Sequence, residues 1–476
     1  MPGRLGFPDP ARALRLVAFA TSVANAAVLV WFDSVHAHYF ADDLYGLWQV
    51  RTQPFLRYLA TPIDVHPVPL HRLLTAAMTC TSPLDFWPAS LVLGIFFLLG
   101  VLFLYLGLEA IRSTPANAVF CAWYTAHVYQ FTVFAWWTAA LHRLPYLCLL
   151  SLSFYAYARF RRSRSKALAL VVLLSAMATL GFFEKGVLVA PVLAGVEASA
   201  WASTPTERRR GNAMLIAAVA ACAAAYLLAW PLLVGERWRS LYLNPRFFLD
   251  FSRISWAMLG RSAFGFTDDG EVATALFGFG LIALVVVKSR GSIRSLLPGF
   301  VVVTLSLGMT GLSRARSALL GLSLASHVHR YYPDAMFLLV LFIALAWSAP
   351  LESPRMLPAA SHGRSVWLRV GLAAASLFAV TFTAQANATS LLAKSYGNVL
   401  LNRNYLGRLS EDVKRFRKEH RRLALVDGPV PQFVDPIGRM RLSLLLGAFG
   451  VSATYGPPGP GYYRVTGSGH IVPARR

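Results

Sequence analysis

Two adjacent carboxylates stand in a short polar stretch, Ala41-Asp42-Asp43-Leu44-Tyr45, soon after the first apolar run of the chain. Neighbouring carboxylates at a membrane surface repel one another unless a cation, a proton or a substrate hydroxyl engages them. One of the two can serve as a general base that takes a proton from an acceptor hydroxyl. The other can orient that base or help hold a divalent cation through hard oxygen ligands. The same pair can instead open a short helix over 44–50, with Asp42 or Asp43 as its N-cap.

Further polar and aromatic residues follow at intervals. The segment Asp64-Val65-His66-Pro67-Val68-Pro69-Leu70-His71-Arg72 carries prolines that forbid a regular helix before Leu70. His66 and His71 are candidates for contact with a substrate phosphate or an acceptor, and also for plain interfacial histidines. Phe134-Ala135-Trp136-Trp137 precedes His142-Arg143-Leu144-Pro145. Paired tryptophans at a helix end belong to the aromatic belt of a membrane protein, and both also offer faces on which a sugar ring can stack, with Trp137 taken as the site residue. Glu184-Lys185 interrupts an apolar stretch, as a functional pair or as a neutralised structural one. In His327-Val328-His329-Arg330-Tyr331-Tyr332, the arginine suits a lipid-linked phosphate, with His329 and Tyr331 beside it. Interfacial anchoring uses the same residue types.

The elements that must position these residues are membrane helices. Of 476 residues, 56% are hydrophobic and only 14% charged, and the mean hydropathy is +0.52. Soluble proteins carry about 25% charged residues. A first run, Leu16 to Phe32, is longer than a usual signal-peptide core and ends in bulky Trp31 and Phe32, so it reads as an uncleaved helix. Later blocks fall at about 88–111, 116–135, 144–158, 167–183, 186–201, 212–234, 272–287, 296–312, 334–349 and 367–387. Each is a candidate span, because only a helix satisfies every backbone polar group in hydrocarbon. The formal charge of +23 is concentrated between these blocks, which fits topology signals and lipid headgroups better than nucleic acid. With a cytoplasmic N-terminus and eleven crossings, Arg112 and the basic connectors Arg159 to Arg162, Arg208 to Arg210, Lys288 to Arg294 and Arg355 to Arg369 all fall in the cytoplasm. Every acidic or cationic cluster described above then falls on the other side.

The expected organisation is an all-α polytopic membrane domain over 1–387, with its first outer loop at 33–87, followed by a small extracytoplasmic α/β domain over 388–476. In the latter, 400–420 reads as a polar amphipathic helix, Leu423 to Val426 as a strand, Ile437 to Phe449 as a helix, and 451–455 and 462–466 as short strands. The four cysteines, Cys80, Cys121, Cys148 and Cys222, have no metal-ligand spacing. No internal repeat is evident.

In their order along the chain, these motifs resemble the GT-C superfamily of polyprenyl-phosphate-sugar-dependent glycosyltransferases, and more closely a group of uncharacterised actinobacterial multi-pass membrane proteins. The family's acidic first-loop motif is matched by Asp42-Asp43, its His-Pro-Pro-Leu segment by His66-Pro67-Val68-Pro69-Leu70, its Lys-Glu pair in reversed order by Glu184-Lys185, and its late Arg-Tyr by Arg330-Tyr331. The resemblance covers about residues 12–350. Val68 displaces the second proline of the family pattern, and the acidic–basic pair is inverted.

The resemblance implies an inverting transfer at the extracytoplasmic face of the plasma membrane. Asp42 or Asp43 would deprotonate a cell-envelope glycan or lipid acceptor, and Lys185 and Arg330 would stabilise the departing polyprenyl phosphate. His66, His71, Trp137, Glu184, His329 and Tyr331 would line the substrate site, with a divalent cation at Asp42 and Asp43 as an option. A transporter or flippase of lipid-linked sugar, or a non-catalytic envelope-assembly protein, would use the same residues for passage or for recruitment.

Overall fold

The computed structural model describes residues 9–40, 42–63, 66–80, 85–200, 205–235, 245–265, 280, 290–314, 329–348, 362–419, 422–436, 438 and 440–474. The expected helix at 272–287 apart from residue 280, residues 288–289 and 355–361 of the basic connectors, Asp64, His327, Val328, Ile437 and Arg439 lie outside these residues.

Among the described residues the fold is mostly helical. Helix α1 (Pro10–His36) starts under an N-cap from Asp9, whose carboxylate accepts the Ala11 N–H at 3.1 Å. Short helices α2 (Asp42–Thr52), α3 (Phe55–Ala60) and α4 (Pro69–Met78) form the first loop. They are followed by α5 (Trp87–Ile111), α6 (Pro115–Thr125), α7 (Gln130–Phe134), α8 (Trp137–Ser163) and α9 (Lys166–Phe182). A 3-10 turn over Glu184–Leu188 leads into α10 (Val189–Ser199), α11 (Thr206–Val234) and α12 (Pro245–Ser262). Then come α13 (Arg290–Arg314), a 3-10 turn at His329–Tyr331, α14 (Pro333–Ser348) and the long α15 (His362–Lys418). Prolines stand in the first turns of α1, α4, α5 and α6, where the missing N–H leaves no bond unmade.

Helices α1, α5 and α11 are long and apolar enough to cross a membrane; shorter apolar helices run over Lys166–Phe182, Ser295–Gly311 and Pro333–Ser348. α14 is apolar and buried on nearly every side, so it sits at the centre of the bundle. The periphery is the reverse of a water-facing surface. Phe19, Leu228, Leu232 and Phe378 are 62–86% exposed, and such an apolar exterior is what hydrocarbon contact requires.

Charged side chains gather at both ends of the bundle. At one end, the Glu197 carboxylate accepts from Tyr157 Oη, Arg161 Nε and Asn212 Nδ2 at 2.9, 2.9 and 3.0 Å, tying α8, α10 and α11 together. Arg112 reaches the Ser348 carbonyl there, and Arg162 the Ile111 carbonyl at 3.1 Å. The first loop, the Glu184 turn and the His329 turn lie at the other end.

The block expected at 116–135 is not one helix: it breaks over Ala126–Tyr129 between α6 and α7. Polar side chains at the break are engaged sideways. Asn25 Nδ2 donates to Thr125 Oγ1 at 3.0 Å, and His127 Nε2 meets Ser262 Oγ at 2.6 Å.

The polar helix expected at 400–420 is the end of the 57-residue α15, which runs unbroken through the 387/388 boundary. Beyond it, β1 (Ala424–Leu425), α16 (Leu442–Ala448), β2 (Thr454–Tyr455), β3 (Tyr463–Val465) and β4 (Ile471–Pro473) build a small sheet in the order β2-β1-β3-β4. β1 is parallel to β2 and β3, and β3 is antiparallel to β4, with Val465 opposite Ile471. This unit packs α16 on α2. Tyr45 Oη donates to Asp435 at 3.1 Å, and Arg51 Nε to the Ala448 carbonyl at 3.0 Å. Asn402 Nδ2 holds the Tyr39 carbonyl at 2.9 Å.

Candidate functional site: two cavities joined at Asp42

The two carboxylates of the first loop have different surroundings. Asp42 is exposed and Asp43 is buried. Asp43 accepts the Phe40 N–H at 2.9 Å through one oxygen and the Thr138 N–H at 2.8 Å through the other. Thr138 lies in the first turn of α8, where backbone N–H groups have no partner within the helix. Asp43 therefore supplies a cap and a favourable charge to a helix far away in sequence. Burial pushes its carboxyl up to about 7 against the effect of these hydrogen bonds, and the Asp42 charge adds to the rise. Of the two acids read as catalytic, Asp43 has a positioning environment and Asp42 the accessible one.

Asp42 lines two cavities. The first, of about 730 Å³, is walled by His66, Trp136, Thr138, His142, Arg143, Phe183, Glu184, Lys185, Thr310, Arg330 and Tyr331. The second, of about 1190 Å³, is walled by Asp43, Tyr45, Gln49, Tyr58, His71, Arg72 and Thr75. Ile63 and Thr138 also border both.

The first cavity is cationic on one wall. Lys185 Nζ donates to the Asp334 carboxylate and to Ser306 Oγ, the latter at 3.1 Å, and both members of the ion pair are buried. Arg330 lies over the Trp136 ring at 4.2 Å and over Tyr331 at 5.0 Å. Arg143 faces the Phe183 and Tyr331 rings at 5.4 and 5.5 Å. Stacking on aromatic faces holds each guanidinium plane without consuming all of its donors.

Glu184 and Lys185 do not pair with each other. Glu184 binds His66 Nδ1 at 2.8 Å. Burial opposes its ionisation, but His66, a backbone hydrogen bond and Lys185 together favour the charged form, and the carboxyl stays below the ordinary glutamate range. His66 is aimed by a tight reversal, in which Ile63 and His66 exchange both backbone hydrogen bonds, at 3.0 and 2.9 Å, before Pro69 opens α4.

A row of imidazoles separates the cavities. His142 lies 5.1 Å from His66 and 4.7 Å from His71, between ring centres. Burial, with Arg72 alongside, pushes His71 down to about 3, so its ring is neutral near pH 7. Arg72 itself reaches Gln49 Oε1 at 2.9 Å and the Pro62 carbonyl at 3.2 Å, and lies over the Tyr58 ring at 4.7 Å.

Several expected site residues sit elsewhere. Trp137 is fully buried, donating to Thr75 Oγ1 at 3.4 Å, and its neighbour Trp136 faces the first cavity instead. The reason is the α8 start: Trp136 is extended and Trp137 already helical, so the two rings diverge. His329 is buried against the Tyr129 ring at 4.8 Å and lines neither cavity. Both oxygens of Asp43 already accept backbone N–H groups, and among the described residues no group of three or more His, Cys, Asp or Glu side chains is arranged to hold a metal ion.

Asp334 is a site residue that the sequence did not single out, and Trp136, His142 and Arg143, noted there as segments, were assigned no place in the substrate site. The available signal was an ionisable residue at the start of an apolar helix, Arg143 in α8 and Asp334 in α14. No protein-family model matches the chain, and no curated protein matches it.

Proposed function

We propose that this chain is a multi-pass membrane glycosyltransferase of the GT-C type. In this reading it crosses the membrane eleven times with its N-terminus in the cytoplasm. It moves a sugar from a polyprenyl-phosphate donor to a hydroxyl of a cell-envelope glycan or lipid on the extracytoplasmic face. The observation that carries the reading is the position of Asp42, an accessible carboxylate shared by a cavity with three cationic side chains and by a second, larger cavity. Basic side chains at the opposite end of the bundle, Arg161 and Arg162 among them, support the orientation.

The donor phosphate occupies the first cavity, facing Arg143, Lys185 and Arg330. The acceptor enters the second, where Tyr45, Gln49 and Tyr58 offer hydrogen bonds and aromatic faces. The acceptor oxygen attacks the anomeric carbon while Asp42 takes its proton. The bond from the anomeric carbon to the phosphate oxygen breaks with its electron pair, and polyprenyl phosphate leaves with the added negative charge. Attack from the side opposite the phosphate inverts the anomeric centre. Fixed cations near the departing oxygen lower the barrier because they require no reorganisation.

The test is transfer from a radiolabelled polyprenyl-phosphate sugar in proteoliposomes, with extracted envelope glycan as acceptor. A new glycosidic product that disappears in Asp42→Asn supports the reading. Movement of intact donor across the bilayer with no new bond makes the protein a flippase. Neither activity, with a stable co-purifying partner, makes it an assembly component.

A further inference from the structure

A third cavity, of about 780 Å³, opens at the other end of α1, between α1, α5 and α6. Its walls are Leu16, Phe19, Leu98 and Leu102, and its floor is the small pair Ala118 and Cys121. Short side chains on α6 leave a hollow where the larger residues of α1 and α5 stand apart. Leu16 and Phe19 are about 60% exposed, so the hollow opens sideways on the apolar exterior.

Two features select an occupant. Arg12 and Arg15 border the hollow at one end only. Arg12 is exposed, while Arg15 is held in place by Ser113 Oγ at 3.0 Å and Glu109 at 3.6 Å. Glu109 offsets one of the two positive charges, leaving a net cationic rim. The lining of α1 runs from Arg12 to Val23, which at 1.5 Å per residue is about 16 Å. That is close to half of the roughly 30 Å hydrocarbon thickness, so the hollow is one leaflet deep with its charge at the headgroup level.

We infer that this hollow is a binding site for one anionic phospholipid, with an acyl chain against Leu16, Phe19, Leu98 and Leu102 and the phosphate at Arg12 and Arg15. The site lies at the opposite end of α1 from Asp42 and is independent of glycosyl transfer. Ordinary annular lipid would need neither the recess nor the charged rim.

Native mass spectrometry of the delipidated full-length chain tests this, using phosphatidylglycerol and phosphatidylcholine with matched acyl chains. Phosphatidylglycerol should be retained preferentially at one copy per chain. A basic residue near the surface contributes about fivefold to anionic lipid affinity, so Arg12→Gln should weaken phosphatidylglycerol roughly fivefold and leave phosphatidylcholine unchanged. Leu102→Trp, at a 40% exposed wall position, should remove the single retained copy by filling the hollow. If that variant does not fold, Val23→Trp, on the 41% exposed opposite wall, serves the same purpose. Equal retention of the two lipids, or full phosphatidylglycerol binding by Arg12→Gln, overturns the assignment.

Discussion

The Asp43 carboxylate accepts the Thr138 backbone N–H at 2.8 Å, joining the first turn of α2 to the first turn of α8 across 95 residues of sequence. Its neighbour Asp42 takes no part in that bond and faces both cavities. The two acids should therefore fail differently. Asp42→Asn should reduce transfer by about 10²–10⁴-fold, the usual contribution of a general base, with little change in thermal stability. Asp43→Ala should lower stability by about 0.5–2 kcal/mol, the loss of a helix cap. Differential scanning fluorimetry in detergent, run beside the transfer assay, separates the two.

Asp43 also predicts a pH dependence of stability. Burial raises its carboxyl from 3.8 to about 7, so between these values the folded chain holds a proton that the unfolded chain has released. Stability from this group is then greatest below about pH 4, falls as pH rises to about 7, and is level above it. The full span is about 4 kcal/mol at 1.36 kcal/mol per unit. Asp43→Asn should flatten the fall. A midpoint-versus-pH slope unchanged in that variant would rule out Asp43 as the titrating group.

Lys185 and Asp334 form the buried ion pair behind the first cavity. Removing one partner leaves a charge with no counter-charge, a loss of about 3–5 kcal/mol in buried pairs. Asp334→Asn should unfold at markedly lower denaturant concentration than the wild type. The double variant Lys185→Met with Asp334→Leu should recover much of that stability but none of the phosphate binding. Equal loss in the single and double variants would contradict a paired arrangement.

Trp136 supports Arg330 through its ring face, 4.2 Å from the guanidinium carbon. A cation–π contact is worth about 0.5–2 kcal/mol, so Trp136→Ala should weaken binding of a short-chain polyprenyl phosphate by about 2- to 30-fold in microscale thermophoresis. Trp137→Phe, at the fully buried neighbour, should leave that affinity unchanged.

The membrane character of the chain was legible because long apolar runs have few other physical uses. The runs at 16–32, 88–111 and 212–234 correspond to α1, α5 and α11. The break between α6 and α7 was not legible: hydropathy averages over Thr125 and His127, whose side chains bond to Asn25 of α1 and Ser262 of α12. At the site, Asp42, Lys185 and Arg330 stood out as charges bordering apolar blocks. Which of two adjacent acids is exposed and borders both cavities, and which of two adjacent tryptophans faces the first, depends on helix phase, and a residue count does not fix that phase. The partner of Lys185 was obscured for a different reason. Asp334 follows Pro333 at a helix start, where an acid is ordinary, and only the approach of α14 to the Glu184 turn gives it a second role.

Helix α15 has a mechanical consequence. At 1.5 Å per residue its 57 residues measure about 85 Å, nearly three times the hydrocarbon thickness. It lies against α1 along part of its length and carries the β1–β4 sheet at its far end. A shaft with no joint cannot absorb a displacement; it delivers it. Tilting of the part that packs on α1 is levered to α16 and, through Tyr45–Asp435 and Arg51–Ala448, to the helix that bears Asp42.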